Sequence, residues 1–288
     1  KVIINVMDGL VDFDINDPNL KIIPQVAKSW DISKDSKVYT FHLRDDVYWT
    51  DGVKLTAKHF YDAWERVLNK ATLSRYSYML FDVLNAKEYN EGKIKEFSKV
   101  GVEVVDDYTF RVKLNKPAAY FIQIPPHEST YPIRKDIVEK FGNKWTEPEN
   151  IVTNGPFKLT LWQHDYKIEL TRNDAYYGPK AKLEKIEMNM VTEKSTFLNL
   201  YETGKIEMIE TVPTTEIPRL KNKPDYYSGT YLAEYYIGFN VKKEPFTNVK
   251  VRKAFNAAVD RNQIVQVLNG GQIPINNWIP SPLLGNNT

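Results

Sequence analysis

The hydrophobic pattern changes near residue 135, and this change most constrains what the chain can fold into. Residues before about Pro132 give amphipathic strands, hairpins and amphipathic helices, whereas later residues alternate strands with helices. Such alternation is typical of a partly parallel sheet with helices on its faces. At about 150 residues per domain, the length of 288 residues suggests two domains. We therefore expect two units that join near residue 135, the second built on a partly parallel sheet.

Local patterns predict individual elements of the first unit. Val38–Arg44 alternates apolar and polar residues, as a half-buried strand does. Thr56 is a favourable N-cap for an amphipathic helix that reaches Leu68. Asp106 and Asp107 separate two alternating segments and predict a tight hairpin.

The second unit is predicted from apolar segments that turn residues separate. Strands are expected at Phe157–Trp162, Lys167–Thr171, Ile186–Val191, Ile206–Glu210 and Leu232–Val241. Helices are expected at Ile137–Phe141, Thr196–Glu202, Val249–Val259 and Asn262–Leu268, the last with Asp260 as its N-cap.

The composition excludes several classes of function. Because the chain has no cysteine, it has no disulfide, no thiolate nucleophile and no cysteine-ligated metal site. The 39 basic and 37 acidic residues nearly cancel, so a nucleic-acid partner is not expected. A mean hydropathy of −0.48 and the lack of a long apolar run argue against a membrane-spanning helix. The chain begins at Lys1 inside structured-looking sequence, and we expect it to be a processed or trimmed piece.

The sequence shows no pattern typical of an enzyme or a cofactor site. It contains neither a phosphate-binding glycine loop nor a serine nucleophile elbow. Adjacent acids, such as Asp45 and Asp46, point to opposite faces of a strand and cannot act as a catalytic pair. No metal-ligand spacing relates the four histidines, which are His42, His59, His127 and His164. We therefore predict no enzyme activity, no metal and no cofactor.

Aromatic and polar residues gather where loops meet the predicted strands. They are Tyr76, Thr153, Asn154, Gly155, Glu210, Thr211, Tyr231, Tyr235 and Tyr236. Tyrosines can pack a core with a polar tip, and spacing alone favours that interpretation. Alternatively, these residues line a cleft that fixes an extended ligand through hydroxyl and backbone groups.

Several motifs, taken together and in order, resemble the peptide- and oligopeptide-binding proteins of ABC importers, the family-5 extracellular solute-binding proteins. The motifs extend over nearly the whole chain, and each would be weak alone. They are Asp8–Val11, Pro24–Trp30, Tyr39–Arg44, Trp49–Gly52, Thr56–Ala57, Lys140–Gly142, Trp145–Thr146, Asn150–Phe157, Pro245–Ala254 and Asp260–Arg261.

The resemblance implies an α/β fold of the periplasmic-binding-protein type II class, with a large α+β domain inserted into one lobe. The α/β ligand-binding domain would comprise residues 1–8 and 132–236, and the insert residues 9–131. Residues 237–288 would begin the opposite lobe. The resemblance thus implies a fragment that lacks most of the C-terminal lobe.

The resemblance also implies which residues contact a ligand. Tyr76 matches an aromatic residue of the inserted domain, and Tyr231 and Tyr236 match tyrosines of a hinge-side strand. Thr153 to Gly155 would lie close to the cleft floor. Glu210 and Thr211 occupy a loop of polar ligand contacts, where the acid departs from the family's Asn- or Ser-like residues.

The implied function is capture of oligopeptides through backbone hydrogen bonds, followed by delivery to an ABC permease in the membrane. The protein would be a monomer in the periplasm or on the outer face of the cell membrane, with a lipid anchor on a cysteine upstream of Lys1. We expect this chain alone to bind peptide weakly or not at all. The alternatives are another small solute such as a nickel chelate, an opine or an oligosaccharide, an enzyme acting on peptides or glycans, and a surface adhesin or receptor.

Overall fold

The computed structural model describes residues 1–17, 19–229 and 233–276. The chain forms two compact units, the first Lys1–Met190 and the second Val191–Thr288, so the boundary lies at residue 190 and not near residue 135 as predicted. The three-part division implied by the resemblance stays a prediction.

The first unit begins with a short helix and two antiparallel sheets. Its early elements are α1 (Ile3–Val6), β1 (Val11–Phe13), β2 (Ile22–Pro24), β3 (Ala27–Ile32), β4 (Val38–Leu43), α2 (Ala57–Leu68), α3 (Ala86–Asn90), β5 (Val102–Asp106) and β6 (Thr109–Lys113). Strands β1 and β2 form a ribbon, and the larger sheet has the order β3-β4-β6-β5. Short 3₁₀ helices lie at Lys70–Thr72, Ser77–Leu80, Phe97–Lys99, Ala119–Gln123, Glu128–Thr130 and Gly142–Lys144.

The predicted strand, helix and hairpin of this unit are confirmed. Strand β4 buries alternate residues, so that one face of its sheet enters the core. Helix α2 starts after Thr56, whose backbone N–H donates to His59 Nδ1 at 3.0 Å. In the β5–β6 hairpin, Val104 lies opposite Phe110, and Asp106 Oδ1 accepts a 2.8 Å hydrogen bond from the backbone N–H of Tyr108.

The core of the first unit lies between α2 and the four-stranded sheet. Trp64 of α2 makes an edge contact with Phe110 of β6, with ring centroids 5.2 Å apart. Its indole N–H donates to the carbonyl of Thr130 at 3.0 Å. Because both aromatic rings are fully buried, this contact fixes how the helix sits on the sheet.

A second sheet completes the first unit and is antiparallel throughout, so the predicted partly parallel sheet is not formed within the described residues. Helix α4 (Lys135–Phe141) precedes β7 (Phe157–Gln163), β8 (Lys167–Arg172) and β9 (Lys185–Asn189). The sheet has the order β7-β8-β9, and both pairs are antiparallel. Only residues 164–166 separate β7 from β8, and so short a link cannot make the crossover that parallel strands require.

The second unit is helical within its described residues. It contains α5 (Lys194–Glu202), a 3₁₀ helix (Thr214–Glu216), α6 (Ile217–Leu220), α7 (Val249–Ala258) and α8 (Arg261–Leu268). The predicted cap of α8 is confirmed, since Asp260 Oδ1 accepts hydrogen bonds from the N–H groups of Asn262 and Gln263. No helix in the described parts of either unit is long and apolar enough to cross a membrane.

Two strands predicted for the second unit are wrong. Residues 206–210 and the described residues 233–241 have no strand structure. A strand is stable only when neighbouring strands accept and donate its backbone hydrogen bonds. The apolar alternation at Ile206–Glu210 gives a strand one apolar face, but it does not supply a neighbouring strand.

Candidate functional site

The predicted loop Thr153–Gly155 is buried in the first unit. Thr153 and Asn154 are 2% and 1% exposed. The Thr153 N–H donates to Thr50 Oγ1 at 3.1 Å, and the Thr153 carbonyl accepts from the Thr50 N–H at 2.8 Å. The Asn154 side chain accepts from the Asp8 N–H at 3.1 Å and donates to the Asp8 carbonyl at 3.2 Å. Both residues therefore fasten the loop to neighbouring segments, and their role as ligand contacts stays a prediction.

Gly155 lies against the end of α1. Its N–H donates to the Val6 carbonyl oxygen at 2.9 Å. A Cβ atom at this position would lie 2.5 Å from the Val6 carbonyl carbon and 2.6 Å from the Met7 nitrogen. Backbone atoms cannot move aside as a flexible side chain can, so the close approach requires glycine.

The carboxyl group of Asp8 is the centre of this buried region. Asp8 is 3% exposed. Its Oδ1 accepts from Gln25 Nε2 at 3.0 Å, and its Oδ2 accepts from the hydroxyls of Tyr176 and Tyr177, each at 2.7 Å. Burial raises the pKa of Asp8 to about 6, although the two tyrosine hydroxyls act in the opposite direction. This carboxyl therefore exchanges its proton in a mildly acidic range.

Asp8 opens one of the family motifs, but the sequence patterns predicted no role for it or for its partners Tyr176 and Tyr177. One signal was present, since Asp8 is the only acid inside the apolar run from Val6 to Val11. An acid in such a run is either a turn residue or a buried carboxyl that needs partners. The partners could not be identified, because they lie more than 160 residues later in the chain.

Tyr76 presents an aromatic surface at another place in the first unit. It directly precedes the 3₁₀ helix Ser77–Leu80 and is 46% exposed. One side of its ring packs on His127, with ring centroids 4.8 Å apart. The His127 ring is held in turn, because its Nδ1 accepts from the Ser129 N–H at 3.2 Å. A half-exposed ring with a fixed back face can stack on a ligand with little loss of conformational entropy.

The remaining predicted site residues belong to the second unit. Glu210 and Thr211 are exposed in the loop between α5 and the 3₁₀ helix Thr214–Glu216. Tyr236 is 69% exposed, in a segment without regular secondary structure. Tyr231 lies outside the described residues. Among the predicted site residues, Asn154 is the one that bonds to Asp8, and its neighbours Thr153 and Gly155 bond to Thr50 and Val6.

The titratable side chains do not form a metal centre in the described parts of the chain. No group of three or more histidines or carboxylates there is placed to hold an ion. His42 contacts Asp31 at 2.7 Å on a strand surface, and His164 contacts Glu147 at 3.2 Å. Each pair is partly exposed and stands as a local surface contact.

Comparison with known proteins decides the family. The family model of bacterial extracellular solute-binding proteins, family 5 Middle, matches residues 21–288. This chain belongs to that family. The resemblance carried by the sequence motifs is therefore confirmed.

Relatives of this family-5 chain are known in sequence and in structure. The periplasmic oligopeptide-binding protein OppA of Salmonella typhimurium is 38% identical over 264 residues, which are 89% of this chain and 48% of that protein. A Borrelia burgdorferi periplasmic oligopeptide-binding protein matches with a TM-score of 0.90 at 36% identity, over 97% of this chain and 56% of that one. Haemophilus influenzae OppA in complex with RPPGFSPFR matches with a TM-score of 0.89 at 34% identity, over 98% of this chain and 55% of that one.

These structural matches confirm the predicted fold class, a mixed helix and sheet fold of the periplasmic-binding-protein type II class. The family-5 chain spans about half the length of the curated relatives it matches.

Proposed function

We propose that this chain belongs to the substrate-binding component of an ABC importer, which captures oligopeptides between two lobes and delivers them to a membrane permease. The observation that carries the proposal is the match to peptide-complexed Haemophilus influenzae OppA over 98% of this chain. Both that protein and the Salmonella typhimurium relative are named as oligopeptide-binding proteins. Ligand capture by lobe closure needs no covalent chemistry, and we propose that the protein is not an enzyme.

The proposed ligand contacts follow the positions predicted from the resemblance. Tyr76, Glu210, Thr211, Tyr231 and Tyr236 would face the peptide. The exposure of Tyr76, and the position of Glu210 and Thr211 in an exposed loop, support this assignment. An exposed carboxylate at Glu210 would favour peptides with a basic group nearby.

The loop Thr153–Gly155 would act from beneath the ligand. The Thr153 backbone already bonds to Thr50 and the Asn154 side chain to Asp8, so the contribution of the loop would be a fixed backbone shape. We also propose three domains. The α/β ligand-binding domain comprises residues 1–8 and 132–236, the inserted domain residues 9–131, and the start of the opposite lobe residues 237–288. The periplasmic relatives support a location outside the cytoplasmic membrane, and a lipid anchor and a monomeric state are proposed with it.

Calorimetric titration of the full-length protein with RPPGFSPFR tests this function. The protein is first unfolded and refolded to remove bound solute. A second peptide with the same side chains but N-methylated backbone amides is the matched control, since it cannot donate main-chain hydrogen bonds. We expect the unmodified peptide to bind at least about tenfold more tightly, because backbone pairing supplies the affinity. Equal affinities, or no binding by either peptide, would contradict the proposal.

A further inference from the structure

A closed ring of hydrogen bonds joins three segments of the first unit. Asp8 and Asn154 exchange two hydrogen bonds, at 3.1 and 3.2 Å. Asn173 donates from its side chain to the Gly155 carbonyl at 3.0 Å and from its backbone to the Pro156 carbonyl at 2.8 Å. Tyr176, three residues after Asn173, returns to the Asp8 carboxyl at 2.7 Å. The ring is therefore complete only while that carboxyl keeps its place.

The donors that hold the Asp8 carboxyl in the described structure are neutral. They are the amide of Gln25 and the hydroxyls of Tyr176 and Tyr177. A buried negative charge that only neutral groups solvate is costly, even with several hydrogen bonds. Protonation removes this cost, and a tyrosine hydroxyl can turn to accept the acidic proton, since it is both donor and acceptor.

The charged and titratable groups around Asp8 act in opposing directions. Asp12 on β1 is a like charge that raises the pKa of Asp8, and the hydroxyl of Tyr131 is also close enough to interact with it. The guanidinium of Arg44 lies 5.0 Å from the ring centroid of Tyr177. Arg44 is also engaged by the carboxylate of Asp46, at 2.8 and 2.9 Å, so its charge is largely compensated there. The balance holds the pKa of Asp8 above that of an exposed carboxyl, so the neutral acid is the main form below about pH 6.

We propose that Asp8 is a proton-linked positioning residue, whose protonated side chain closes the ring beneath loop Thr153–Gly155 and whose ionised side chain loosens it. The proposal does not depend on which ligand the protein binds. It assigns to the buried loop a rigidity that depends on pH, set by a group far from the loop in sequence. The loop itself has no titratable side chain, so a pH dependence of its rigidity must come from a neighbouring group, and the ring connects Asp8 to it.

The sign and size of the effect follow from proton linkage. The pKa of Asp8 is about 6 in the folded ring against 3.8 in an exposed chain. Between those values the closed ring keeps a proton that the opened ring releases, so closure is favoured at low pH and weakens as pH rises. From about pH 5 to about pH 7.5, the opening equilibrium constant rises by about tenfold.

Hydrogen-exchange mass spectrometry on the full chain tests the proposal. The amides of Asp8 and Gly155 report on the ring, since they donate to Asn154 and Val6. After correction for intrinsic exchange chemistry, we expect their protection factors to fall by about tenfold from pH 5 to pH 7.5. In D8N the same amides should show no pH dependence. Equal pH profiles in the wild type and D8N would overturn the proposal.

Two further variants decide the question if D8N does not fold. Y176F removes a donor to the ionised carboxyl, so the midpoint of the pH profile should move up. D12N removes a like charge, so the midpoint should move down. Y166F is the matched control, because Tyr166 is exposed and its substitution should leave the midpoint in place. A purely structural role would change protection without moving a midpoint, and unmoved midpoints in both variants would refute proton linkage.

Discussion

The hydroxyl of Tyr177 donates a 2.7 Å hydrogen bond to Oδ2 of Asp8, although 169 positions separate the two residues. The contact joins the segment after α1 to the loop between β8 and β9. Since both residues belong to the same unit but lie far apart in the chain, the bond forms only when the tertiary structure of that unit is complete. The hydrogen bonds under the predicted ligand loop are thus a product of the whole first unit.

Gly155→Ala should destabilise the first unit. The added methyl group would lie 2.5 Å from the Val6 carbonyl carbon, so α1 or the loop must shift. We expect a loss of about 1–3 kcal/mol in the free energy of unfolding, the usual cost of overpacking. Urea denaturation followed by circular dichroism measures it.

Gly229→Ala is the matched control, because nothing lies within 4 Å of the position a Cβ would occupy there. It should change stability by less than about 0.5 kcal/mol. Equal effects of the two substitutions would show that the close approach of Gly155 to α1 is not a constraint.

His59→Gln should make the protein more resistant to acid. Burial lowers the pKa of His59 in the folded chain. In the unfolded chain, the histidine binds a proton as pH falls below the usual value of about 6.5, and this binding favours unfolding. Stability is therefore lost as pH falls through that range. Glutamine keeps an acceptor for the Thr56 N–H at the start of α2 but does not titrate there.

The measurement is the free energy of unfolding at about pH 7.5 and about pH 5.5, on either side of the unfolded-state value. The acid-side loss should be smaller in H59Q than in the wild type. His164→Gln is the matched substitution at an exposed histidine, whose side chain is 57% exposed. If the free energy of unfolding falls as much in H59Q as in the wild type between the two pH values, groups other than His59 cause the fall.

Local sequence patterns predicted the elements whose structure depends only on residues close together in the chain. The helix after Thr56 and the β5–β6 hairpin depend on periodicity, a cap and a turn within about a dozen residues. No strand forms at Ile206–Glu210 or over the described part, residues 233–241, of the segment predicted at Leu232–Val241. A strand needs a partner from elsewhere in the chain, and alternation does not specify one.

The same distinction applies to the candidate site. Thr153, Asn154 and Gly155 were indicated by a motif, but their bonds to Asp8 and Val6 were not. Such pairings join residues about 150 positions apart, and no short pattern contains both partners. The family resemblance predicted which loops contact a ligand, and only the three-dimensional structure showed how this loop is held.

Tyr76→Ala should weaken peptide binding by the full-length protein while leaving its stability nearly unchanged. The ring is 46% exposed, so its removal costs little packing, whereas a stacking contact with ligand would be lost. We expect about a tenfold rise in the Kd for RPPGFSPFR, or about 1.4 kcal/mol. Isothermal titration calorimetry measures it.

Tyr78→Ala is the matched control for this experiment. Tyr78 lies two residues later, within the 3₁₀ helix that Tyr76 precedes, and is 61% exposed. Tyr78→Ala removes an exposed tyrosine ring of similar area, but it leaves in place the Tyr76 ring that packs on His127. If both variants bind peptide equally, Tyr76 has no special place in the ligand site.

The solute that co-purifies with the full-length protein tests the central claim most directly. Native mass spectrometry gives the mass of the bound species, and sequencing after acid release gives its composition. Our account predicts a mixture of short peptides of varied sequence, because backbone hydrogen bonds select for a peptide main chain rather than for particular side chains. A bound population of sugars, metal chelates or other non-peptide solutes, with no binding of an added peptide pool after its removal, would contradict it.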